Sequence, residues 1–217
     1  MTQSEENYLK AIYHLSLMQK KGVSTNAIAK LIDTKASSVT DMVKKLADKE
    51  LVSYQRYQGV QLTAKGLHAA KMLVRRHRLW EVFLVETLDF SWDEVHDVAE
   101  ELEHIKSEKL INRLDAFLGY PSVDPHGDPI PNANGVIQPL DKKLLSDVVI
   151  GHTYYCVGVK DTSTAFLQYL DKLKISLGTG IEVLDREPFD QSVTVQLNGE
   201  RHTISNKIAQ NLYLKKA

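Results

Sequence analysis

The sequence contains only one cysteine, Cys156, so an intramolecular disulfide is excluded and we expect a reducing environment. It also has no run of about 18 consecutive apolar residues, the length that a membrane-spanning helix requires. The opening residues 1–6 show no basic stretch followed by an apolar core, which argues against a secretory signal. We therefore expect a soluble, cytoplasmic protein that has no membrane partner.

Acidic residues are scarce in the first third of the chain, and basic residues are scarce in the middle. Residues 1–76 hold thirteen Lys or Arg against six Asp or Glu, whereas residues 81–131 hold three against thirteen. A basic block is typical of a surface that faces a polyanion, and an acidic block can bind cations. Charge alone leaves open a scatter of solvated residues that only keeps the protein soluble.

Proline is rare outside one segment, because five of the six prolines lie between Pro121 and Pro139. Such a segment cannot continue a helix or form a central strand. It predicts a linker between a mainly α-helical N-terminal part and a C-terminal part that is a small β barrel. We predict three domains, which span residues 1–73, residues 74–140 with the Pro-rich linker, and residues 141–217.

The front of the chain has the element order of a winged helix-turn-helix domain. Apolar residues at helical spacing predict a first helix that stops near Gly22. A second helix begins at about Ser24, and a third spans about 36–50. Residues 51–62 partly alternate around a glycine, as in a short hairpin, and Thr63 then caps a long helix that reaches the high eighties. This order predicts a DNA-binding domain.

The third helix is the candidate for reading DNA, because hydroxyls and lysines cluster at its start and on its outer face. Such side chains suit contacts to phosphates and base edges in a major groove. Each alone is typical of a solvated surface, and the ordered assembly is what favours DNA binding. The predicted DNA-binding residues are Lys35, Ser37, Ser38, Thr40, Asp41 and Lys44 on this helix, and Arg56 and Tyr57 at the hairpin tip.

Beyond the linker the pattern changes to short strands. Tyr154–Val159 predicts a strand, and a short helix follows. Three further strands come after it, and Asn198-Gly199 predicts a hairpin turn between the last two. We expect a small, mostly β barrel with Cys156 in a strand interior.

The acidic middle contains a pattern of carboxylates and imidazoles that suits a cation. Glu100, Glu103 and His104 stand at i, i+3 and i+4 of a helix predicted over 91–104, so we expect them on one face. Mixed oxygen and imidazole donors suit Mn²⁺ or Fe²⁺, whereas thiolates suit zinc or copper. A single carboxylate–imidazole pair at this spacing usually lies on a solvent-exposed helix face, but here the pattern recurs. The further candidates are His77, Glu81, His96, Asp124 and His126.

The winged helix, the His77–Glu81 pair, the Glu100/Glu103/His104 triplet and the Pro-rich loop around His126 together resemble the diphtheria toxin repressor family of iron- and manganese-dependent regulators. The resemblance covers essentially the whole chain. It implies a winged helix-turn-helix domain, a helical dimerisation domain and a C-terminal SH3-like domain of the FeoA type.

The resemblance also implies two metal sites. The primary site would use Asn7, Glu100, Glu103 and His104. The ancillary site would use His77, Glu81 and His96, or, in the manganese-type branch, Glu81, Asp124, His126 and Asp161. Where some manganese sensors carry a first-helix Glu, this chain has Lys10, which would repel a second metal. Where iron-type members carry Cys it has Glu100, which favours Mn²⁺ over Fe²⁺.

The function implied is a repressor, not an enzyme, that binds double-stranded operator DNA as a homodimer when Mn²⁺ or Fe²⁺ is bound, and so controls metal homeostasis genes. The C-terminal domain is expected to make at most a weak intramolecular contact. Three alternatives remain open from the residues. They are a winged-helix regulator that senses an organic ligand or oxidation, a metallohydrolase, and a DNA-binding protein whose C-terminal barrel binds a partner protein.

Overall fold

The computed structural model describes residues 1–19, 22–55 and 59–217. Its helices are α1 (Gln3–Met18), α2 (Thr25–Leu31), α3 (Ala36–Asp48), α4 (Ala64–Leu88), α5 (Val95–Leu102), α6 (Glu108–Phe117), α7 (Thr164–Lys172) and α8 (Asn206–Ala209). Its strands are β1 (Val52–Gln55), β2 (Gly59–Leu62), β3 (Lys143–Leu144), β4 (His152–Val159), β5 (Gly180–Arg186), β6 (Val193–Leu197), β7 (Glu200–Ile204) and β8 (Leu212–Lys216). Within the described residues, no helix is both long enough and apolar enough to span a membrane.

The contacts divide the chain into two units. Unit 1 comprises residues 1–77, 100–112 and 131–136, and unit 2 comprises residues 78–99, 113–130 and 137–217. The predicted domain boundaries at 73 and 140 therefore differ from this grouping and stay a prediction.

Unit 1 begins with a helix whose start is specified locally. The Thr2 hydroxyl accepts the backbone N–H of Glu5, and the Glu5 carboxylate accepts the N–H of Thr2, so the two residues form a capping box. Leu9 and Ile12 on the inner face are fully buried. Glu5 also pairs with Lys49, which follows α3, at 2.7 Å. The first helix is thereby held against the helix-turn-helix by both apolar packing and charge.

The turn between α2 and α3 is tight because Asp33 adopts a left-handed backbone conformation, with φ of 47°. The short polar side chain of Asp tolerates that conformation better than most residues do. The inner face of α3 is formed by Val39, Val43 and Leu46, which are buried, and its outer face is exposed. The predicted helix-turn-helix is confirmed in its element order.

The predicted hairpin is also present, because β1 pairs with β2 in antiparallel register from Val52↔Leu62 to Gln55↔Gly59. Val23 adds a bridge to Val60 with two backbone hydrogen bonds of 2.8 Å. Arg56 and Tyr57, predicted at the hairpin tip, lie outside the described residues.

Unit 2 contains a six-stranded antiparallel sheet in the order β3-β8-β4-β5-β6-β7. One face of this sheet packs against α7, whose Leu167 and Leu170 are fully buried. Cys156 lies in the same core at 0% exposure, as the sequence predicts. The C-terminal part is the SH3-like module expected from the sequence.

The Pro-rich loop approaches this sheet very closely in unit 2. The backbone N–H of Val159 donates to the carbonyl of His126 at 2.9 Å. A Cβ atom placed on Gly127 would lie 2.1 Å from the carbonyl oxygen of Val157, and the φ of Gly127 is +80°. Only glycine fits both the conformation and the contact. The loop that carries Asp124 and His126 is therefore fixed by strand β4.

One prediction about local structure is wrong. The helix expected over 91–104 begins at Val95 and ends at Leu102, so Glu103 and His104 follow it in a turn. Even so, donor atoms of Glu100 and Glu103 lie within 4.8 Å of each other.

Candidate metal centre

The first cluster lies in unit 1 and comprises the side chains of Glu6, Lys10, His77, Glu100, Glu103 and His104. Donor atoms of His77, Glu100 and Glu103 all lie within 4.8 Å of one another. The Nδ1 atom of His77 is 2.8 Å from Oε2 of Glu103, whose side chain is completely buried. These donors come from α4, from the last turn of α5 and from the turn after it. The cluster therefore joins segments that are distant in sequence.

A lysine lies at the centre of the first cluster. The Nζ atom of Lys10 is 2.5 Å from Oε1 of Glu100 and 2.7 Å from each carboxylate oxygen of Glu103. The Lys10 side chain is only 11% exposed. Lys10 thus contributes a buried positive charge to the carboxylates that the sequence predicts as metal ligands.

The orientation of His104 follows from its hydrogen bond to Glu6. Its Nδ1 atom lies 2.7 Å from Oε2 of Glu6. An ionised carboxylate only accepts, so Nδ1 carries the proton and, in the neutral ring, Nε2 carries the lone pair. Nε2 lies 4.0 Å from Oε1 of Glu103. This carboxylate–imidazole arrangement is the one that commonly orients a metal-binding histidine.

The ionisation of Glu103 is determined by its neighbours. Burial opposes the charged form, but His77 and Lys10 outweigh burial and lower the pKa of Glu103 below its usual value. Glu103 is therefore an anion at neutral pH in spite of its complete burial, and it can act as a ligand.

The second cluster lies in unit 2 and comprises Glu81, Asp124 and His126. All three residues are buried, and one donor atom of each lies within 4.8 Å of the others. The Nε2 atom of His126 lies 2.7 Å from the carbonyl oxygen of Trp92. Because a carbonyl only accepts, Nε2 donates, and the Nδ1 atom of the neutral ring faces Oε1 of Glu81 at 3.8 Å. The Nδ1 lone pair is thus directed towards the carboxylates.

Two carboxylates at close range perturb the titration of the second cluster. Burial and then the charge of Glu81 raise the pKa of Asp124 to about 6. Burial alone would lower the pKa of His126, but the nearby carboxylates of Glu81 and Asp124 raise it, because they favour the charged imidazolium. Arg78 offsets part of the negative charge, because its Nε atom lies 3.2 Å from Oδ2 of Asp124. An excess of buried negative charge of this kind suits a cation.

Comparisons with known proteins give matches along most of the chain. Residues 1–60 match the N-terminal DNA-binding domain of iron-dependent repressors, residues 63–132 match their metal-binding and dimerisation domain, and residues 143–216 match the FeoA domain. An HTH-type transcriptional regulator of Methanocaldococcus jannaschii, itself uncharacterised, is 37% identical over 118 residues, which are 54% of this chain and 94% of that protein. The chain belongs to the diphtheria toxin repressor family.

Two further similar proteins are a regulator of known type and a solved repressor. The HTH-type regulator MntR of Oceanobacillus iheyensis is 38% identical over 120 residues, which are 55% of this chain and 80% of that protein. A solved manganese-dependent transcriptional repressor in complex with manganese is 37% identical and superposes with a TM-score of 0.87, covering 98% of this chain and 99% of that one. The likeness to the solved repressor therefore extends over both units.

The structure brings together most, though not all, of the ligands that the family resemblance implies. Asn7 is exposed on α1, while the neighbouring Glu6 is buried and reaches His104. His96 is largely exposed, and its Nδ1 atom is 3.6 Å from Oε1 of Glu81. The carboxylate of Asp161 accepts the N–H of Ser163, and among the described residues Asp161 is not part of either cluster. The roles of these residues stay predictions.

Sequence reasoning missed Glu6 as a buried partner, and a simple signal was available. Glu6 and Lys10 stand at i and i+4, so they lie on one face of α1 next to the apolar stripe. Arg78 was also missed. It binds both the Asp124 carboxylate and the carbonyl of Pro129.

The donor set of both clusters fits a divalent cation that prefers oxygen and nitrogen. The ligands on offer are carboxylates and imidazoles, and the chain's only thiol, Cys156, lies in the core of unit 2. Such a set matches Mn²⁺ or Fe²⁺ better than a thiophilic ion.

Proposed function

We propose that the chain is a transcriptional repressor that holds Mn²⁺, or Fe²⁺, and binds operator DNA as a homodimer to control metal homeostasis genes. The observation that carries the proposal is the first cluster, in which three carboxylates and two imidazoles meet around a buried site. Buried carboxylates repel one another unless cations balance them. We propose no catalytic role, and a regulator of this kind would act on DNA in the cytoplasm.

Manganese is the ion that the donor set favours. Glu100 supplies a hard carboxylate oxygen to the first cluster, and Asp124 supplies another to the second. Hard oxygen donors select Mn²⁺ over softer ions, although Fe²⁺ accepts similar ligands. The manganese complex of a repressor 37% identical to this chain supports the same choice.

Helix α3 is proposed to read the operator. Ser37, Ser38, Asp41 and Lys44 are exposed on it, and Thr40 is half-buried with its hydroxyl bonded to the carbonyl of Ala36. Lys35, which precedes the helix, makes no side-chain capping bond, so the first N–H groups of α3 are available to a phosphate. These features support a role in DNA binding.

Helix α1 is the element that the DNA-reading module and the first cluster share. Its inner face packs against α2 and α3, and the same helix directs Glu6 and Lys10 into the first cluster. When bound, a divalent cation supplies the positive charge that holds the carboxylates of this cluster together. Glu103 and His104 then restrain α1, and through α1 they restrain α3. We propose that this restraint favours the spacing at which two α3 helices of a dimer fit successive major grooves.

The second cluster is proposed as a further metal site, with Glu81, Asp124 and His126 as its ligands. The loop that carries Asp124 and His126, the ligand loop, is positioned by strand β4. It is held there by the hydrogen bond from the Val159 N–H and by the close approach of Gly127. We propose that the C-terminal domain acts by positioning this loop. Asp161, half-buried after β4, is proposed only as an additional ligand once a metal is present.

Oxidation of a thiol is a less favoured signal than metal. Burial raises the pKa of Cys156 to about 11, so the reactive thiolate is scarce at neutral pH. The single cysteine is therefore poorly suited to sense an oxidant.

Metal-titrated gel shifts on a duplex from the chain's own promoter region test the proposal. The unmodified chain should release the duplex in EDTA and bind it again as Mn²⁺ is added. Glu103→Gln and His104→Ala should lose this response. Glu101→Gln is the matched control, because Glu101 is exposed on α5 next to Glu100, and it should behave as the parent does. Full binding in EDTA would rule out metal dependence, and a normal response in both variants would rule out the first cluster.

A further inference from the structure

A cavity in unit 1 is lined by more positive than negative side chains. It has a volume of about 330 Å³ and lies between α1, the N-terminal half of α4 and the start of α6. A cavity of this size is large enough for a small ligand. The charged residues that line it are three cations and two carboxylates, namely Arg75, Arg76, Lys106, Glu6 and Glu108. With His68 neutral the lining therefore carries a charge of +1, which favours an anion.

The guanidinium of Arg76 lines this cavity with hydrogen-bonding capacity left over. Its side chain is only 16% exposed, and its ion pair with Glu6 is long, with 3.7 Å between Nη2 and Oε1. The Nε atom of Arg76 is buried and has no hydrogen-bond partner among the described residues. A buried donor without an acceptor is costly, and a guanidinium matches the paired oxygens of a phosphate or a carboxylate. We infer that the cavity is a binding site for a small oxyanion, which Arg76 holds.

Lys106 provides a second positive charge at the same cavity. Its ammonium donates to the backbone carbonyl of Met1. An ammonium has further N–H donors beyond the one that this bond uses, and these are available to an anion. The exposed amide of Asn112 adds a neutral donor to the lining. The site thus offers the charged and neutral donors that an oxyanion requires.

Glu6 connects this cavity to the first cluster. One oxygen of its carboxylate, Oε1, faces Arg76, and the other, Oε2, lies 2.7 Å from Nδ1 of His104. The positive charge of Arg76 opposes the addition of a cation nearby, and an oxyanion paired with Arg76 would offset that charge. We therefore expect the bound anion to strengthen Mn²⁺ binding at the first cluster. This consequence rests on the proposed function, whereas the anion site itself does not.

Thermal unfolding of the full-length chain in EDTA tests the anion site. Inorganic phosphate and succinate are titrated separately, against sodium chloride of equal ionic strength. The unfolding temperature should rise to a plateau with at least one of the two anions and not with chloride. A response to phosphate alone would assign a phosphate-bearing ligand, and a response to succinate alone would assign a carboxylate-bearing one.

Two variants test the site in different ways. Arg76→Gln removes the guanidinium, and Ala69→Phe keeps every charge but fills the cavity that Ala69 lines. Both should lose the rise that the anion produces, each measured against its own unfolding temperature without anion. Arg113→Gln is the matched control, because Arg113 is exposed on α6 and is not part of the lining. It should keep the full rise.

Isothermal titration with Mn²⁺, with and without the anion that binds, tests the connection through Glu6. In the parent and in Arg113→Gln the anion should increase Mn²⁺ affinity by at least about 5-fold. In Arg76→Gln the anion should leave Mn²⁺ affinity unchanged. An affinity for Mn²⁺ that does not respond to the anion in the parent would overturn the connection between the cavity and the first cluster.

The absence of a saturable rise in the parent would overturn the anion site. An equal rise in the parent, Arg76→Gln and Ala69→Phe would also overturn it, since the anion would then bind elsewhere. The unfolding measurements use neither metal nor DNA. Metal-independent operator binding would therefore overturn the proposed function and leave the anion site unaffected.

Discussion

The imidazole of His104 and the carboxylate of Glu6 meet at 2.7 Å, with both side chains less than 10% exposed. Because Glu6 lies on α1 and His104 follows α5, this pair connects the first helix to the predicted metal ligands. It fixes the His104 ring so that Nε2 is the nitrogen left for a metal. Without this hydrogen bond the ring is free to rotate or to change tautomer.

Glu6→Ala should therefore weaken Mn²⁺ binding by roughly 10- to 100-fold, the usual effect of losing a hydrogen-bond partner of a metal-binding histidine. Isothermal titration with Mn²⁺ measures the change. Glu5→Ala is the control, because Glu5 is also buried on the same helix but pairs with Lys49. It should lower the unfolding temperature and leave Mn²⁺ affinity unchanged. Equal losses of affinity in both variants would show that Glu6 acts only through the stability of α1.

The second cluster should lose its metal in mild acid. The pKa of Asp124 is raised to about 6 and that of His126 is also raised, so protons compete for both ligands there. The folding stability of the metal-free chain depends on pH in the opposite direction. Raised pKa values favour the folded state at low pH. The contribution of Asp124 is lost as the pH rises through about 6, and the contribution of His126 is lost above the ordinary histidine value.

The gain in unfolding temperature on addition of Mn²⁺ should therefore be small at pH 5.5 and should grow up to pH 7.5. In Asp124→Ala most of this growth should disappear. A gain that is constant between these two pH values in the parent chain would contradict the assignment of Asp124 and His126 as ligands.

Gly127→Ala should displace the ligand loop from strand β4. The new methyl group would lie 2.1 Å from the Val157 carbonyl oxygen, and the backbone there is left-handed. We expect a loss of stability of about 3 kcal/mol and the loss of Mn²⁺ from the second cluster only. Gly119→Ala is the matched control, because Gly119 has a similar φ of +73° with nothing within 4 Å. It should cost about 1 kcal/mol and leave metal binding unchanged. Equal effects of the two substitutions in urea unfolding and Mn²⁺ titration would show that the contact is unimportant.

Lys44→Ala should weaken operator binding by a similar factor for all sequences, because an exposed lysine on α3 suits a phosphate contact. The slope of log affinity against log salt should fall by about 1. Lys172→Ala, on the exposed side of α7, should leave both quantities unchanged. Fluorescence anisotropy over a salt series measures them, and an unchanged slope for Lys44→Ala would remove it from the interface.

Elements with strong local signals were predicted well from the sequence. Asn198 and Gly199 have φ values of 50° and 87°, as the two central residues of a tight hairpin require. The prediction succeeds because the turn chemistry of these two residues depends on no distant contact. The prediction of the start of α4 is correct for the same reason, because the helix is capped locally: the Thr63 hydroxyl accepts the N–H of Gly66.

Some elements that depend on distant partners were not predicted. Strand β8 pairs with β3 and β4, and its short sequence carries little periodicity of its own. Spacing also failed at the end of α5, where Glu103 and His104 leave the helix. The spacing of residues in the sequence could identify the types of ligand. It could not show that Lys10 is buried between Glu100 and Glu103, because that contact is tertiary.

The central claim is that metal binding and operator binding are coupled through α1. The most direct test is to measure the Mn²⁺ dissociation constant with and without the operator duplex, and the operator dissociation constant with and without Mn²⁺. Linkage requires the same factor in both comparisons, and we predict an increase in affinity of roughly 5- to 150-fold in each. An Mn²⁺ affinity that does not change when the duplex is added would contradict the account.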